Sequence, residues 1–491
     1  MSSYKLYRLI GLLGSDEIPV VSRFLESPAH NSDKECSRFF RELVKFHPSM
    51  EHPKLTNERL FKRLYGPLPY DDQKLRRLRM KLKVLLERYL AVAEIDLGPD
   101  LSQKALVQSL ARRSDYGLFC EAVKDRMEAL DNQPYRGKAY HFEMAHLWKE
   151  LHYHPETNFF NPDNDYLQQH IRHLETYFAL ATLQSGAEGL LLQRIVSSSE
   201  ESRLMEPIAN LSANGQPVVQ LFQLMYHLFS QPGLSISLHD LSGQLHRCLP
   251  LLAPDEQRFA LKMGIHYATP FSNSGSREHS RFMFGLYKTS VERGLLDFAH
   301  SLVSPDLFTN IVITAALVGE FDWATAFMQD HGPLLPEKDR HDARCLCEAS
   351  IRYQQGIATG DTSFLKDALR QLALISVRSN EKYNLRMRSL QLRIHFDLFL
   401  HKEEGYDNVL ELARYFENHL HNHPHYSDEK REAYLRFVNH VKALFKLASN
   451  PDADGSGLDL YLKELSSSPR PILQHWLLEK AGELRQSPHL H

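Results

Sequence analysis

The sequence predicts an all-α protein in which antiparallel helix pairs stack as an α-solenoid behind a small N-terminal helical domain. Three observations predict it. Apolar residues return at three- and four-residue spacing along most of the 491 residues, the mark of one buried helix face. No stretch alternates polar and apolar residues as a half-buried strand does. Glycine-led corners recur in the second half, with Gly319, Gly360 and Gly405 spaced 41 and 45 residues apart. A chain this long exceeds one compact core. The expected division is an N-terminal helical domain over 1–96, a helical bundle or solenoid over 97–275 and helical repeats over 276–491.

Taken in order, residues 4–14 and 18–26 form short helices around Leu6, Leu9, Ile10 and Leu13, then Val20, Val21, Phe24 and Leu25. A turn at 27–31 leads to a helix over about 33–46 with Phe39, Phe40, Leu43 and Val44 on its core face. The segment Leu55 to Val92 reads as helix, turn, longer helix. Leu60, Phe61 and Leu64 share one face of the first helix, 57–65. Gly66-Pro67-Leu68-Pro69 stops it, because proline lacks an amide hydrogen and restricts the residue before it. Asp71 or Asp72 caps the next helix by accepting its orphan amide hydrogens. Leu75, Leu78, Leu82, Leu85 and Tyr89 then form a buried stripe, with Lys74, Arg76, Arg77, Arg79, Lys81, Lys83 and Arg88 placed on the opposite face.

Lys54 to Val92 holds eleven Lys/Arg against four Asp/Glu, a net +7 inside a chain of net −3. Such a run is most often a solvated face whose long stems cover apolar surface. The sharper alternative is a helix-turn-helix in which Lys74, Arg76, Arg77, Arg79, Lys81 and Lys83 meet nucleic-acid phosphates. An acidic protein partner is a third use.

Long helices follow over 101–113, 115–131, 136–152, 163–185 and 187–200, and a break is expected at 197–202 and 210–217. A further pair covers 218–230 and 237–250, before a polar loop at 269–277. In the second half Gly319 precedes Phe321, Ala324 and Phe327; Gly360 precedes Phe364, Ala368 and Leu372; Gly405 precedes Val409, Ala413 and Phe416. The glycine ends one helix in a left-handed turn, and the alanine lets the pair approach closely. This pattern resembles the corner of tetratricopeptide repeats, although the spacing exceeds that family's length of about 34. A degenerate tetratricopeptide-like solenoid over about 280–450 is therefore expected. A loop at 450–457 precedes a last helix or two over 458–485, interrupted at 466–471.

The chain as a whole resembles a group of large all-helical proteins, with no assigned reaction, common in Bacteroidetes-type bacteria. The residues that carry the resemblance are 24–31, 70–76, Gly319 to Asp322 with Ala324, and 390–396. It implies helical architecture and carries over no site residues. A weaker likeness is to bacterial regulators that set a winged helix-turn-helix before a tetratricopeptide-like domain. Leu60, Leu64, Tyr65, Gly66 and then Arg76 to Leu90 fit it, but no wing strands follow Val92.

Five scattered cysteines suit a reducing compartment, no signal peptide is evident at the start, and no apolar run approaches the length of a membrane span. A soluble cytoplasmic protein is expected. The alternating histidines His419, His421, His423 and His425 are ligand types for zinc, copper or nickel, yet they sit at a helix end before Pro424, where the helix dipole favours them. Cys345 and Cys347 point about 200° apart on a helix, so buried thiols are expected rather than a metal site with His341. Asp452, Asp454, Ser456 and Gly457 open like a calcium loop, but Lys463 stands where the bidentate glutamate belongs. No phosphate loop, metalloprotease motif or nucleophile elbow is found.

The expectation is a non-enzymatic scaffold or adaptor without cofactor or metal. It binds a protein partner, or itself, on a concave surface. The alternative is a nucleic-acid-binding transcriptional regulator that uses the basic helix at 74–90.

Overall fold

The computed structural model describes residues 5–158, 161, 164–196, 215–231, 236–296, 298–299, 302–375, 381–403, 406–423, 426–449, 455–467, 469 and 471–486. The described residues are overwhelmingly α-helical, and the all-α expectation holds. They fall into two compact units, Met1–Gln133 with Leu147–Leu167, and Pro134–His146 with Gln168–His491.

The first unit holds α1 (Lys5–Leu12), α2 (Glu17–Glu26), α3 (Lys34–Val44), α4 (Asn57–Tyr65), α5 (Asp72–Leu97), α6 (Pro99–Leu110), α7 (Tyr116–Asp131) and the C-terminal half of α8 (Lys138–Tyr153). Helix α5 packs against each of α1 to α4. Its buried face joins Ile10, Val21, Phe39, Phe40, Leu60 and Phe61 in one core. The helix boundaries follow local chemistry. The Thr56 side chain accepts from the Arg59 amide, and Gly66 leaves α4 at φ +67°, a conformation open to glycine. Of the two candidate caps for α5 it is Asp71 that accepts, from the Lys74 amide at 2.9 Å.

The second unit begins with residues of α8 and with α9 (Tyr166–Val196), a single helix of 31 residues. The sequence reading divided it at Ser185 and Gly186. The correction has a plain cause. Leu180, Leu183, Ala187 and Leu191 are all buried on one stripe that crosses that point. A glycine costs a helix only about 1 kcal/mol, less than the burial of two leucines returns. Of the break expected at 197–202 and 210–217, residues 197–202 and 210–214 lie outside the described residues, and Pro217 opens the next helix.

Then follow α10 (Pro217–Ser230), α11 (Leu238–Cys248), α12 (Pro254–Asn273), α13 (Arg277–Glu292), α14 (Pro305–Leu317), α15 (Phe321–His331), α16 (Glu337–Thr359), α17 (Thr362–Ala373), α18 (Glu381–Leu400), α19 (Tyr406–Asn422), α20 (Asp428–Ala448), α21 (Gly455–Ser467) and α22 (Gln474–Gln486). Between α13 and α14 a minimal antiparallel ladder, β1 (Phe298–Ala299) with β2 (Leu302–Val303), pairs Phe298 with Val303. The periodicity gave no sign of it, since two residues are too few to show alternation.

Three consecutive pairs, α14 with α15, α16 with α17 and α18 with α19, are helical hairpins, and α14 packs on α16 as α16 packs on α18. Two glycine corners turn as the sequence requires, with Gly319 at φ +88° and Gly360 at φ +72° in the left-handed cap of α16. Gly405 lies outside the described residues. Ala324, Ala368 and Ala413 are all fully buried, where a larger side chain would force the paired helices apart.

Helix α18 is buried on two sides. Met387, Leu390, Ile394 and Leu398 belong to the core that includes α14 to α17. Leu385, Leu392 and Phe396 belong to the core that includes α19 to α22. Phe396, fully buried and edge-on to Trp476, should therefore be costly to truncate. Phe396→Ala should destabilise the second unit by about 3–5 kcal/mol in chemical denaturation.

Candidate functional site

Two buried flanks separate two polar lines on α18; one holds Arg388, Gln391 and His395, and the second holds the site. Arg386, Ser389, Arg393 and Asp397 recur every three or four residues along it. This stripe runs along a cleft of about 690 Å³, which is also lined by α12, α14, α16, α20 and the turn before α22. A hollow of about 390 Å³ adjoins it and shares Ser272, Tyr353, Gln354, Arg393 and His475.

Both arginines are oriented by what they touch. The Arg386 guanidinium donates to Thr309 Oγ1 and to Asn310 Oδ1, each at 3.0 Å. Arg393 lies over the Tyr353 ring, 5.0 Å from its centroid, and its Nε donates to the Ser389 carbonyl at 3.4 Å. Such contacts fix a flexible side chain before anything binds, which lowers the entropic cost of binding.

Beneath Arg393 lies a dry polar network. The Tyr353 hydroxyl donates to Asp397 Oδ2 at 2.9 Å and accepts from the Trp476 indole at 3.0 Å. The other Asp397 oxygen meets Lys480 Nζ at 2.8 Å, and Lys480 also reaches Glu483 at 2.8 Å. Asp397 is 2% and Lys480 5% exposed. Burial pushes the Asp397 carboxyl up and the Tyr353 hydroxyl well above its ordinary range. The two carboxylates outweigh the burial of Lys480 and hold its ammonium above the usual lysine value.

The far wall is closed by chain returning from the C-terminal side. His475 Nδ1 sits 3.0 Å from the Asn273 carbonyl. Gly275, at φ +94°, passes so near that a Cβ there would lie 2.7 Å from that of His475. Leu473, beside it, holds φ +53°, a left-handed conformation that strains a residue with a Cβ. Its carbonyl accepts from the amides of Trp476 and Leu477 at the start of α22.

Among the cleft's described lining residues Arg277, Arg386, Arg393 and Lys480 are cationic and Glu479 is the one carboxylate. Ile313, Leu317, Leu346, Leu390 and Ile472 supply apolar wall. Guanidinium forks with amide and hydroxyl neighbours suit carboxylates or phosphates, and the apolar wall suits aliphatic side chains between them.

The residues singled out by sequence stand elsewhere. Arg79, placed with the basic face, is in fact buried at 5% exposure. It donates to Asn57 Oδ1 and, at 3.4 Å, to the Tyr7 hydroxyl. Positions 75, 79, 82 and 86 are four and three apart, so Arg79 falls on the buried stripe, and Leu86 takes the place assigned to Leu85. Four of the other five have acids within their own unit. Lys74 meets Glu35 at 3.9 Å, Arg76 meets Asp72 at 2.7 Å, Lys81 meets Asp33 at 2.8 Å and Lys83 meets Glu87 at 3.8 Å. The Lys81 ammonium holds the Asp33 carboxyl below its ordinary value. Arg77 is exposed.

His419 and His423 are tilted against each other with ring centroids 4.0 Å apart, and His419 Nε2 lies 3.2 Å from the Tyr426 hydroxyl. Burial and the nearby Arg388 depress His419 to about 4. His425, Asp452 and Asp454 lie outside the described residues, and Ser456 and Gly457 belong to the first turn of α21. Cys345 and Cys347 are buried free thiols on α16, with Cys345 Sγ 3.7 Å from His341 Nε2. Burial raises both thiols. Among the described residues no group of three or more His, Cys, Asp or Glu is placed to hold a metal, and no helix is long and apolar enough to cross a membrane.

Sequence reasoning missed Arg386, Arg393 and Tyr353. The signal that could have found the arginines is charge at 386, 393 and 397 inside a helix otherwise apolar on two faces. No family model, curated protein or solved structure matches the chain.

Lys480→Met should destabilise by about 3–5 kcal/mol because it strands a buried carboxylate. Adding Asp397→Asn should recover most of that loss in the same denaturation measurement. In the first unit Arg79→Ala should cost about 2–3 kcal/mol, whereas Arg77→Ala should stay within about 0.5 kcal/mol of the parent chain.

Proposed function

We propose that the chain is a non-enzymatic helical-repeat scaffold or adaptor. In this reading its second half is a tetratricopeptide-like α-solenoid whose inner face holds an extended acidic segment of a protein partner. The observation that carries the reading is the polar stripe of α18. Two arginines seven residues apart, about 10 Å along the helix axis, are pre-oriented in a cleft with apolar walls and one carboxylate among its described lining residues. That spacing spans about three residues of an extended chain. Same-side residues of such a chain repeat every ~6.7 Å, so acidic side chains two or four positions apart reach both guanidinium groups through the flexibility of their own stems, with aliphatic ones between them. The stacked hairpins of α14 to α19 support the solenoid part of the reading, as does the resemblance to tetratricopeptide corners. The few free thiols fit a cytoplasmic setting.

The alternative, nucleic-acid binding through Lys74, Arg76, Arg77, Lys81 and Lys83, has weaker support. Four of those five charges already face acids of the same unit. Arg79 is turned inward.

Fluorescence anisotropy with a labelled peptide of alternating Glu and Leu tests the proposal against its Gln and Leu counterpart. The acidic peptide should bind, weaken with salt and lose at least about tenfold in affinity when Arg386→Gln and Arg393→Gln are combined in a chain whose circular dichroism is unchanged. Equal binding of both peptides, or indifference to the double change, would refute it.

A further inference from the structure

Helix α9 is apolar on two opposite sides. Leu180, Leu183, Ala187 and Leu191 are buried in the core of the second unit. Half a turn round the helix, Ile171 is 45%, Leu174 44% and Phe178 57% exposed. An ordinary surface helix keeps one apolar stripe and turns polar residues to water, whereas a helix apolar all round is one that is covered all round. The second stripe therefore marks a face that the single chain leaves bare.

The bare face is wider than one helix. Phe142 of α8, in the same unit, is 56% exposed, and its ring lies 5.0 Å from that of Tyr177, three positions after Leu174 on α9. With about half of each side chain showing, and up to about 200 Å² on each, Phe142, Ile171, Leu174 and Phe178 present about 400 Å² of apolar surface. That is the size at which the largest patch of a soluble chain is often functional.

The pattern says what covers it. Positions 171, 174, 178 and 181 repeat at 3-4-3 spacing, the seam of a coiled coil, with Ile171 and Phe178 at a and Leu174 and Ala181 at d. Isoleucine at a with leucine at d favours two strands. A two-fold axis asks only that one patch complement itself, so the second strand can be the same helix of another copy. Arg172 and Glu175, both exposed on the edge of the seam away from Tyr177, carry opposite charges. Two copies meet there without net repulsion, while a strongly acidic or basic partner finds no matching charge. Closing the patch on its copy buries about 800 Å² of apolar surface. Homodimer interfaces are about 65% apolar, so the whole contact comes to about 1,200 Å², enough for a stable specific interface.

We propose that the chain forms a two-fold dimer in solution through this face of α8 and α9, with a second copy as the occupant. None of these residues lines the cleft along α18, and the dimer does not rest on the acidic-segment reading.

Size-exclusion chromatography with multi-angle light scattering on the full chain tests this over a series of loadings. At high micromolar loading the parent chain should give twice the 56.8 kDa of one copy. Ile171→Glu with Phe178→Glu should weaken association at least about tenfold and return a single-chain mass at the same loading. Circular dichroism should stay unchanged, because both side chains face solvent in the lone chain. Ile171→Ser with Phe178→Ser gives the same reading if the glutamate pair folds poorly. Met80→Glu, exposed in the first unit, should keep the doubled mass, as should Arg386→Gln with Arg393→Gln, which separates failure here from failure of the acidic-segment reading. A parent mass other than twice that of one chain would assign the stripe to a different occupant and overturn the proposal. So would a doubled mass that a folded seam variant retains.

Discussion

Asp397 and Lys480 meet 2.8 Å apart where almost no water reaches them, and much of the second unit is arranged around making that tolerable. Removing two charges from water costs several kcal/mol for each ion, and their attraction offsets it only when the remaining lone pairs and protons are satisfied. Here they are satisfied from α16 and α22. Tyr353 of α16 donates to the carboxylate, Trp476 of α22 donates to Tyr353, and Glu483 shares the ammonium. The pair therefore does more than join α18 to α22. It fixes the ring on which Arg393 rests and the start of the helix that closes the cleft. Apolar residues of similar size would join the helices as well, but they would not aim a tyrosine.

Much of the helical plan is legible in the sequence because its signals are local. Thr56, Gly66 and Asp71 mark the ends of α4 and α5 through hydrogen bonds to residues three or four positions away. Gly319 and Gly360 mark corners because a left-handed turn is open to few other residues. The errors also have physical reasons. Ser185 and Gly186 look like a break, but an apolar stripe runs through them and tertiary burial overrides the weaker propensity. Arg79 looks like surface because arginine usually is, yet its register on α5 places it at the centre of the buried face.

The cleft is harder to read for a different reason. Trp476 and Tyr353 are 123 positions apart, and His475 meets Asn273 across 202. No spacing rule connects residues at such separations, so the site exists only once the helices are packed. What the sequence does carry is the composition of α18, where Arg386, Arg393 and Asp397 fall on one line between two apolar flanks.

That composition bears on how the molecule comes apart. Arrays of like helical pairs lend themselves to piecemeal unravelling, since each pair depends only on its neighbours. Helix α18 breaks that independence, because Ile394 and Leu398 serve one core while Leu392 and Phe396 serve another. Losing either core strips a face from the same helix and carries the loss to the other. Fraying that reaches α18 from the C-terminal side thus unseats both of these cores together, and with them the aim of its arginines.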